Sequence, residues 1–259
     1  MRTAERCGTR RVVIILRILW SPIAWSLALA WMTLLFVAAI PFLLFVPFKY
    51  VQKKGFAQLF GLVPHVTLSP MRVTSHPELC SKRTSLYVQN HNSVLDAHVG
   101  LAVVPTVVCG LQNAAHLHVP IYGWLMRLGK AIPVPAKRSG RLQALAKVAK
   151  SRAAEGISIL VFPEGHRTRD GRTRPYRTGG LFMAREAGLP IVPICVRGLY
   201  EILPRGAWII RPGKIEVYMG PQIETEGLTD EQIGTLAEQL TAYTQTWVDG
   251  HEPEPIQLS

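Results

Sequence analysis

From Ile18 to Phe48 the chain carries not one charged side chain. About 20 apolar residues cross the hydrocarbon core of a bilayer, so this run is longer than one crossing needs. A secretory leader has a shorter apolar core followed by a polar cleavage region. Here the tripeptide "ALA" at 28–30 lies inside the run and is followed by "WMTLLFVAAIPFLLFVPF", which argues against cleavage. Arg2, Arg6, Arg10, Arg11 and Arg17 precede the run, and Lys49, Lys53 and Lys54 follow it. Basic flanks prefer the cytoplasmic side, so both ends are expected on that side. The expectation is a membrane anchor over residues 1–49, folded as a helical hairpin broken near Pro41 or in the half before it. A single tilted span is the alternative. Trp20, Trp25 and Trp31 suit anchoring at a membrane interface. The protein is therefore expected at the cytoplasmic face of a membrane, held there by this apolar segment.

Beyond the run the pattern becomes that of a globular domain, expected over residues 50–250, with a loose tail at 251–259 that contains Pro253 and Pro255. "TSLYVQN" (84–90), "TVVCG" (106–110), "AIPVP" (131–135), "ISILVFPEG" (157–165), "PIVPICVRG" (190–198) and "KIEVYMG" (214–220) read as strands. "SVLDAHVGLAVV" (93–104), "GRLQALAKVAKSRAAEG" (140–156), "GGLFMAREAG" (179–188) and "TDEQIGTLAEQLTAYTQTWV" (229–248) read as helices; the segment 118–129 reads as a broken one. Strands that are apolar on both faces and alternate with helices indicate an α/β fold, a mostly parallel or mixed sheet flanked by helices. The formal net charge of +12 favours an anionic partner such as an acidic membrane or a phosphorylated substrate. Nucleic acid is not expected, since only Tyr176 interrupts the most basic stretch and no nucleic-acid fold signature occurs. Cys7, Cys80, Cys109 and Cys195 are scattered and read as reduced thiols.

In open α/β sheets ligands lie beyond the carboxyl ends of the strands. Two strands end in polar clusters: "NHNSVLD" after the first, and "PEGHRTRDGRTRPYR" after the apolar strand at 157–162. If a helix begins near Asn92 or Ser93, Asp96 falls in its first turn. From there its carboxylate can reach back to a ring nitrogen of His91, fix the tautomer and leave the other nitrogen as a base. By itself this spacing also describes a capped helix with a packed histidine. Ser93 is a rival nucleophile without the G-x-S-x-G elbow, and reads as an N-cap. His98, His116 and His118 lack the close spacing of a metal site. The arginines at 167–177 are suited to phosphate.

"NHNSVLD" has the H-x4-D pattern of the glycerolipid acyltransferase family, whose members include the 1-acylglycerol-3-phosphate acyltransferases. "VFPEGHRTRDG" resembles that family's F-P-E-G-T-R-S block, with His166 in the threonine place and Thr168 for the serine. "GLPIVPICVRG" (188–198) resembles its later apolar block. The family's middle block, "G-x-I-F-I-D-R", is altered here to "GKAIPVPAKR" (129–138), with Pro135 and Ala136 in the aspartate and arginine places.

The resemblance implies an O-acyltransferase of phospholipid biosynthesis. Its acyl donor would be a thioester, acyl-CoA or acyl-carrier protein. Its acceptor would be the free hydroxyl of a lysophospholipid, 1-acylglycerol-3-phosphate by default, giving phosphatidic acid. It implies His91 as general base, Asp96 as its orienting partner, and Glu164, Gly165 and Arg167 at the acceptor's phosphate and headgroup. Arg167 is the charge partner, and Glu164 positions Arg167 or the turn. Lys137 or Arg138 would compensate for the altered middle block. No metal and no bound cofactor is implied. Alternatives are an acyltransferase for another lysolipid, a membrane-bound hydrolase or thioesterase using Ser93 or water, and a non-catalytic basic membrane-surface protein.

Overall fold

The structure, a computed structural model, describes residues 2–47, 50, 55–118, 122–135 and 139–257. Its frame is a seven-stranded sheet of β1 (Met71–Ser75), β2 (Leu86–Gln89), β3 (Val108–Asn113), β4 (Ile132–Val134), β5 (Ser158–Val161), β6 (Ile191–Arg197) and β7 (Ile215–Met219). The strand order is β1-β7-β6-β2-β5-β3-β4. Every pairing is parallel except β6 with β7. The sheet is thus mixed, as the apolar strand pattern implies. β1 is missing from the sequence reading because "MRVTS" is polar and mostly exposed, an edge strand paired only with β7.

Side chains alternate across each strand, so each strand feeds two cores. Leu86, Val88, Ile159 and Val161 point into one cluster with Leu145, Leu181, Met183 and Leu236. These last come from α6 (Arg141–Ala154), α7 (Gly179–Ala187) and α9 (Asp230–Val248). Helix α9 opens with a capping box: Thr229 accepts from the Gln232 N–H, and the Gln232 side chain accepts from the Thr229 N–H. On the other face, Tyr87, Leu160, Val192, Ile194 and Val196 pack with residues of α1 (Arg2–Phe45), α3 (Val63–Val66), α4 (Asp96–Val103) and α8 (Leu199–Ile202). The short helices α2 (Phe56–Phe60) and α5 (Tyr122–Leu128) complete the set.

Helix α1 departs from the expected hairpin. It runs unbroken from Arg2 to Phe45, through Pro22 and Pro41, about 66 Å at 1.5 Å per residue. The physical reason lies in what the run lacks. Between Ile18 and Phe48 there is no Gly, Asn or Asp to form a turn and satisfy its backbone groups, whereas a proline inside a helix costs about 3 kcal/mol, through one lost hydrogen bond and a clash with the preceding turn. Near Pro22 the Ser21 hydroxyl donates to the Arg17 carbonyl at 2.6 Å.

Residues Val12–Phe42 are long and apolar enough to cross a membrane, which suits the helix to membrane association. Yet one face is seated on the domain. Ser21, Ala24, Ala28, Leu35 and Ala39 are buried, all but Leu35 small residues that allow close approach. The Trp25 indole N–H donates to the Trp208 carbonyl, and that of Trp31 to the Leu59 carbonyl. These tryptophans therefore dock the helix, where the sequence suggested interfacial anchors. The opposite face, with Ile23, Leu27, Leu34 and Phe42, stays exposed and apolar.

Ala28 is 4% exposed against the domain, so Ala28→Leu overpacks the seat. The expected cost is about 1–3 kcal/mol, read as a lowered midpoint in chemical unfolding of the purified chain in detergent. Leu27→Ala on the exposed face is expected to leave that midpoint unchanged.

Candidate active site

Strands β2 and β5 lie side by side and parallel, with Val88 opposite Val161. Carrying that register three residues beyond this pair brings His91 opposite Glu164. The contact is direct: the His91 N–H donates to Glu164 Oε1 at 2.7 Å. The His91 carbonyl accepts from the Thr168 N–H at 2.8 Å, so the turn at 163–168 grips the histidine backbone from both sides. The imidazole lies flat on the Phe162 ring, centroids 4.3 Å apart at 19°.

The ring is fixed by Asp96. His91 Nδ1 is 2.7 Å from Asp96 Oδ2. The same oxygen accepts from the Asn92 and Ser93 N–H groups at 2.6 and 2.8 Å. Two backbone donors already on Oδ2 make it an acceptor, so Nδ1 is the donor and Nε2 holds the free lone pair. Nε2 has no partner among the described residues. The histidine side chain keeps 23% of its surface open while that of Asp96 keeps none. Burial pushes the Asp96 carboxyl up from its ordinary value, and the bonds from His91, Ser93 and Asn92 pull it back.

The chain leaving β2 is tied to β6 by side chains that take over from the ladder. Asn90 Oδ1 accepts from the Val196 N–H, and its Nδ2 donates to the Val196 carbonyl, both at 2.8 Å. Asn92 Nδ2 donates to that carbonyl at 3.2 Å. Gln89, fully buried, donates to the Asp96 carbonyl at 3.0 Å. Asn90, Asn92, Gln89 and Phe162 went unnoticed in the sequence as parts of the site. The alternating "QNHN" at a strand end was the available signal.

Several expectations change. Helix α4 begins at Asp96 with Leu95 as N-cap, later than Asn92 or Ser93, because residues 92–95 wrap around the carboxylate. Ser93 is not the N-cap. Its hydroxyl is buried, donates to the Leu203 carbonyl at 2.8 Å and accepts from the Leu95 N–H, which leaves it unsuited to nucleophilic attack. Glu164 does not hold Arg167. Its Oε1 takes the His91 N–H, and its Oε2 the Arg174 N–H at 3.1 Å; of the two roles considered for it, the geometry supports the turn. Gly165 has φ +75°, and a Cβ there would come within 2.8 Å of the Arg177 guanidinium carbon. Arg167 is half-buried two residues further on, in no salt bridge among the described residues. Lys137 and Arg138 lie outside the described residues. His98 is half-buried, with Nδ1 3.1 Å from the Phe60 carbonyl. No group of three potential metal ligands occurs among the described residues.

Residues 70–197 match the family model described as "Acyltransferase". The chain is 28% identical over 174 residues to a 1-acyl-sn-glycerol-3-phosphate acyltransferase of Limnanthes douglasii, covering 67% of this chain and 61% of that protein. It is 32% identical over 142 residues to a 1-acyl-sn-glycerol-3-phosphate acyltransferase of Pseudomonas aeruginosa, covering 54% of each. It is also 28% identical over 169 residues to the human 1-acyl-sn-glycerol-3-phosphate acyltransferase alpha, covering 63% and 60%. The chain thus spans less than two thirds of the length of these curated relatives. In fold it is similar to the crystal structure of the 1-acyl-sn-glycerophosphate (LPA) acyltransferase PlsC from Thermotoga maritima, with TM-score 0.77 and 21% identity over 93% of this chain and 100% of that one.

Two outcomes follow from the geometry. Asn90→Ala strands the Val196 N–H in a buried site and leaves the Val196 carbonyl only the bond from Asn92, at an expected cost of about 1–3 kcal/mol measurable by urea unfolding. Burial pushes the Glu164 carboxyl from 4.5 up to about 7. Between those values the folded chain binds a proton that the unfolded chain has released. Glu164's contribution is therefore full below about 4.5 and is lost as the pH rises through about 7. Glu164→Gln is expected to flatten that part of the stability–pH curve.

Proposed function

Since the chain belongs to the glycerolipid acyltransferase family, we propose that it transfers a fatty acyl group from a thioester to the free hydroxyl of a lysophospholipid. The thioester is acyl-CoA or acyl-carrier protein. The acceptor is 1-acylglycerol-3-phosphate, the product phosphatidic acid. The observation that carries this reading is the dyad: Nδ1 of His91 bonded at 2.7 Å to a fully buried Asp96 carboxylate, with Nε2 as the free base. The names of the relatives support the choice of acceptor.

In this mechanism His91 Nε2 takes the proton of the acceptor hydroxyl as its oxygen attacks the thioester carbonyl. Asp96 holds the ring in that tautomer and stabilises the imidazolium. The tetrahedral intermediate collapses by breaking the C–S bond, and the imidazolium returns its proton to the thiolate. A general base of this kind supplies about 10²–10⁴ in rate, and positioning supplies much of the remainder. Phe162, Glu164 and Thr168 position the base. Arg167 meets the acceptor's phosphate beside Gly165, with Lys137 or Arg138 as a second cation. Residues 1–49 serve as the membrane anchor, 50–250 as the catalytic domain and 251–259 as a tail. The basic residues on both sides of the apolar run favour the cytoplasmic face.

Purified chain in detergent, given a labelled acyl thioester and a panel of lysolipids, is expected to acylate 1-acylglycerol-3-phosphate in preference to neutral-headed lysolipids. His91→Ala is expected to abolish transfer with the fold intact; transfer at the wild-type rate would remove the base assignment. Arg167→Ala is expected to raise the acceptor's KM about 10- to 100-fold, the loss of one charged hydrogen bond, with a smaller effect on kcat. An unchanged KM would move the phosphate site elsewhere.

A further inference from the structure

Two cavities adjoin one another along α1. The first is a cleft of about 480 Å³ between α1, α8 and the segment leading into β7. Its polar walls carry Arg17, Arg197, Arg211, Lys214, Glu201 and Glu216. Arg197 is already engaged: its Nε donates to Glu216 at 2.5 Å and its guanidinium stacks on Trp247 at 4.8 Å. That pair cancels. Arg17, Arg211 and Lys214 remain, each in no salt bridge among the described residues, against the single carboxylate of Glu201. The cleft therefore holds an excess of positive charge in a concave site.

The second cavity is an apolar groove lined by Val13, Leu16, Leu19, Trp20, Ile23 and Leu68. Arg17 and Pro212 line both cavities, so the groove opens directly from the basic cleft. From Val13 to Ile23 it follows the helix for about 15 Å at 1.5 Å per residue. Arg17 is also the last charged residue before the uncharged run begins. That is the depth at which a helix entering lipid meets the headgroups.

The loop between α8 and β7, which supplies Arg211 to the cleft and Pro212 to both cavities, carries an interfacial signature of its own. Trp208 is 78% exposed, and aromatic side chains favour the headgroup level. Ordinary surface loops seldom expose a tryptophan so fully. This loop is tied to α1 by the Trp25 bond to the Trp208 carbonyl and by the Ile210 N–H donating to Ser21 Oγ. Helix, loop and cleft thus form one rigid surface.

We infer that this surface is a second, non-catalytic lipid site: the basic cleft takes the phosphate headgroup of an anionic bilayer phospholipid, and the apolar groove takes one of its acyl chains. Guanidinium groups bind phosphate through paired hydrogen bonds, which Arg17 and Arg211 supply. None of the residues described around His91 lines either cavity, and the inference does not rest on acyl transfer. It would hold the domain at a fixed height and orientation on an acidic membrane.

The test is native mass spectrometry of the full chain in detergent, titrated with dioleoyl phosphatidylglycerol. Wild type is expected to form a one-to-one adduct that phosphatidylcholine does not form. Arg211→Ala combined with Lys214→Ala is expected to weaken it about 25-fold, at about fivefold per cation. Arg17→Gln, on a different element, is expected to weaken it about fivefold. Lys147→Ala combined with Lys150→Ala removes the same charge from α6, on the other side of the sheet, and is expected to change nothing. Adduct strength unaffected by the Arg211 and Lys214 changes, equal weakening by the α6 changes, or equal binding of phosphatidylcholine would each overturn the site. Displacement of the lipid by millimolar inorganic phosphate would show a bare anion site and overturn it as well. No turnover is measured, so failure here leaves the acyltransferase reading untouched.

Discussion

One carboxylate oxygen, Oδ2 of Asp96, accepts from the imidazole of His91 and from two successive backbone N–H groups. A fully buried carboxylate is costly unless its charge is met by donors, and charged hydrogen bonds return about 1.5–3 kcal/mol each. The chain meets that demand at Oδ2, though not at the buried Oδ1, by wrapping residues 92–95 around the oxygen before the helix can begin. The wrap delays helix α4, turns the Ser93 hydroxyl towards the Leu203 carbonyl, and aims the ring of His91. Removing the carboxylate would leave three donors without their acceptor, so the base and the local backbone stand or fall together.

The sheet order explains how such a wrap is held. β2 sits in the middle of the sheet, between β6 and β5. Past its end, Asn90 and Asn92 reach sideways to β6 while Glu164 and Thr168 reach across from the end of β5. The catalytic histidine of the proposed mechanism is thus gripped from both neighbours, at the point where open α/β sheets bind ligands. Its backbone N–H, its carbonyl, its ring nitrogen and its ring face each have a separate partner. Little freedom is left except at Nε2.

Much of this was legible in the residues, and the exceptions have physical causes. Strands such as "ISILV" are apolar on both faces and could hardly be anything but buried. The spacing of His91 and Asp96 suggested the bond between them. The spacing could not show that Oδ2 also draws in two backbone donors, since that depends on a turn with no distinctive residues. Glu164 read as a neighbour of Arg167 in sequence, but its partner is decided by the register of β2 and β5, a non-local pairing. β1 escaped notice because an edge strand needs no apolar pattern. The long helix was misjudged because prolines were weighted as breaks, although nothing nearby could close a turn.

The seat of α1 has a consequence for the making of the protein. The surface that buries Ala24 and Ala28 includes Val196, Ile215 and Val217, residues synthesised long after the helix. At about 5–20 residues per second, some 10–35 s separate the emergence of α1 from completion of its docking surface. During that interval both faces of its uncharged run are bare. The nascent helix therefore presents its whole apolar surface before its own domain exists to cover one face of it. Folding then closes the domain down onto a helix whose apolar faces were bare until that moment.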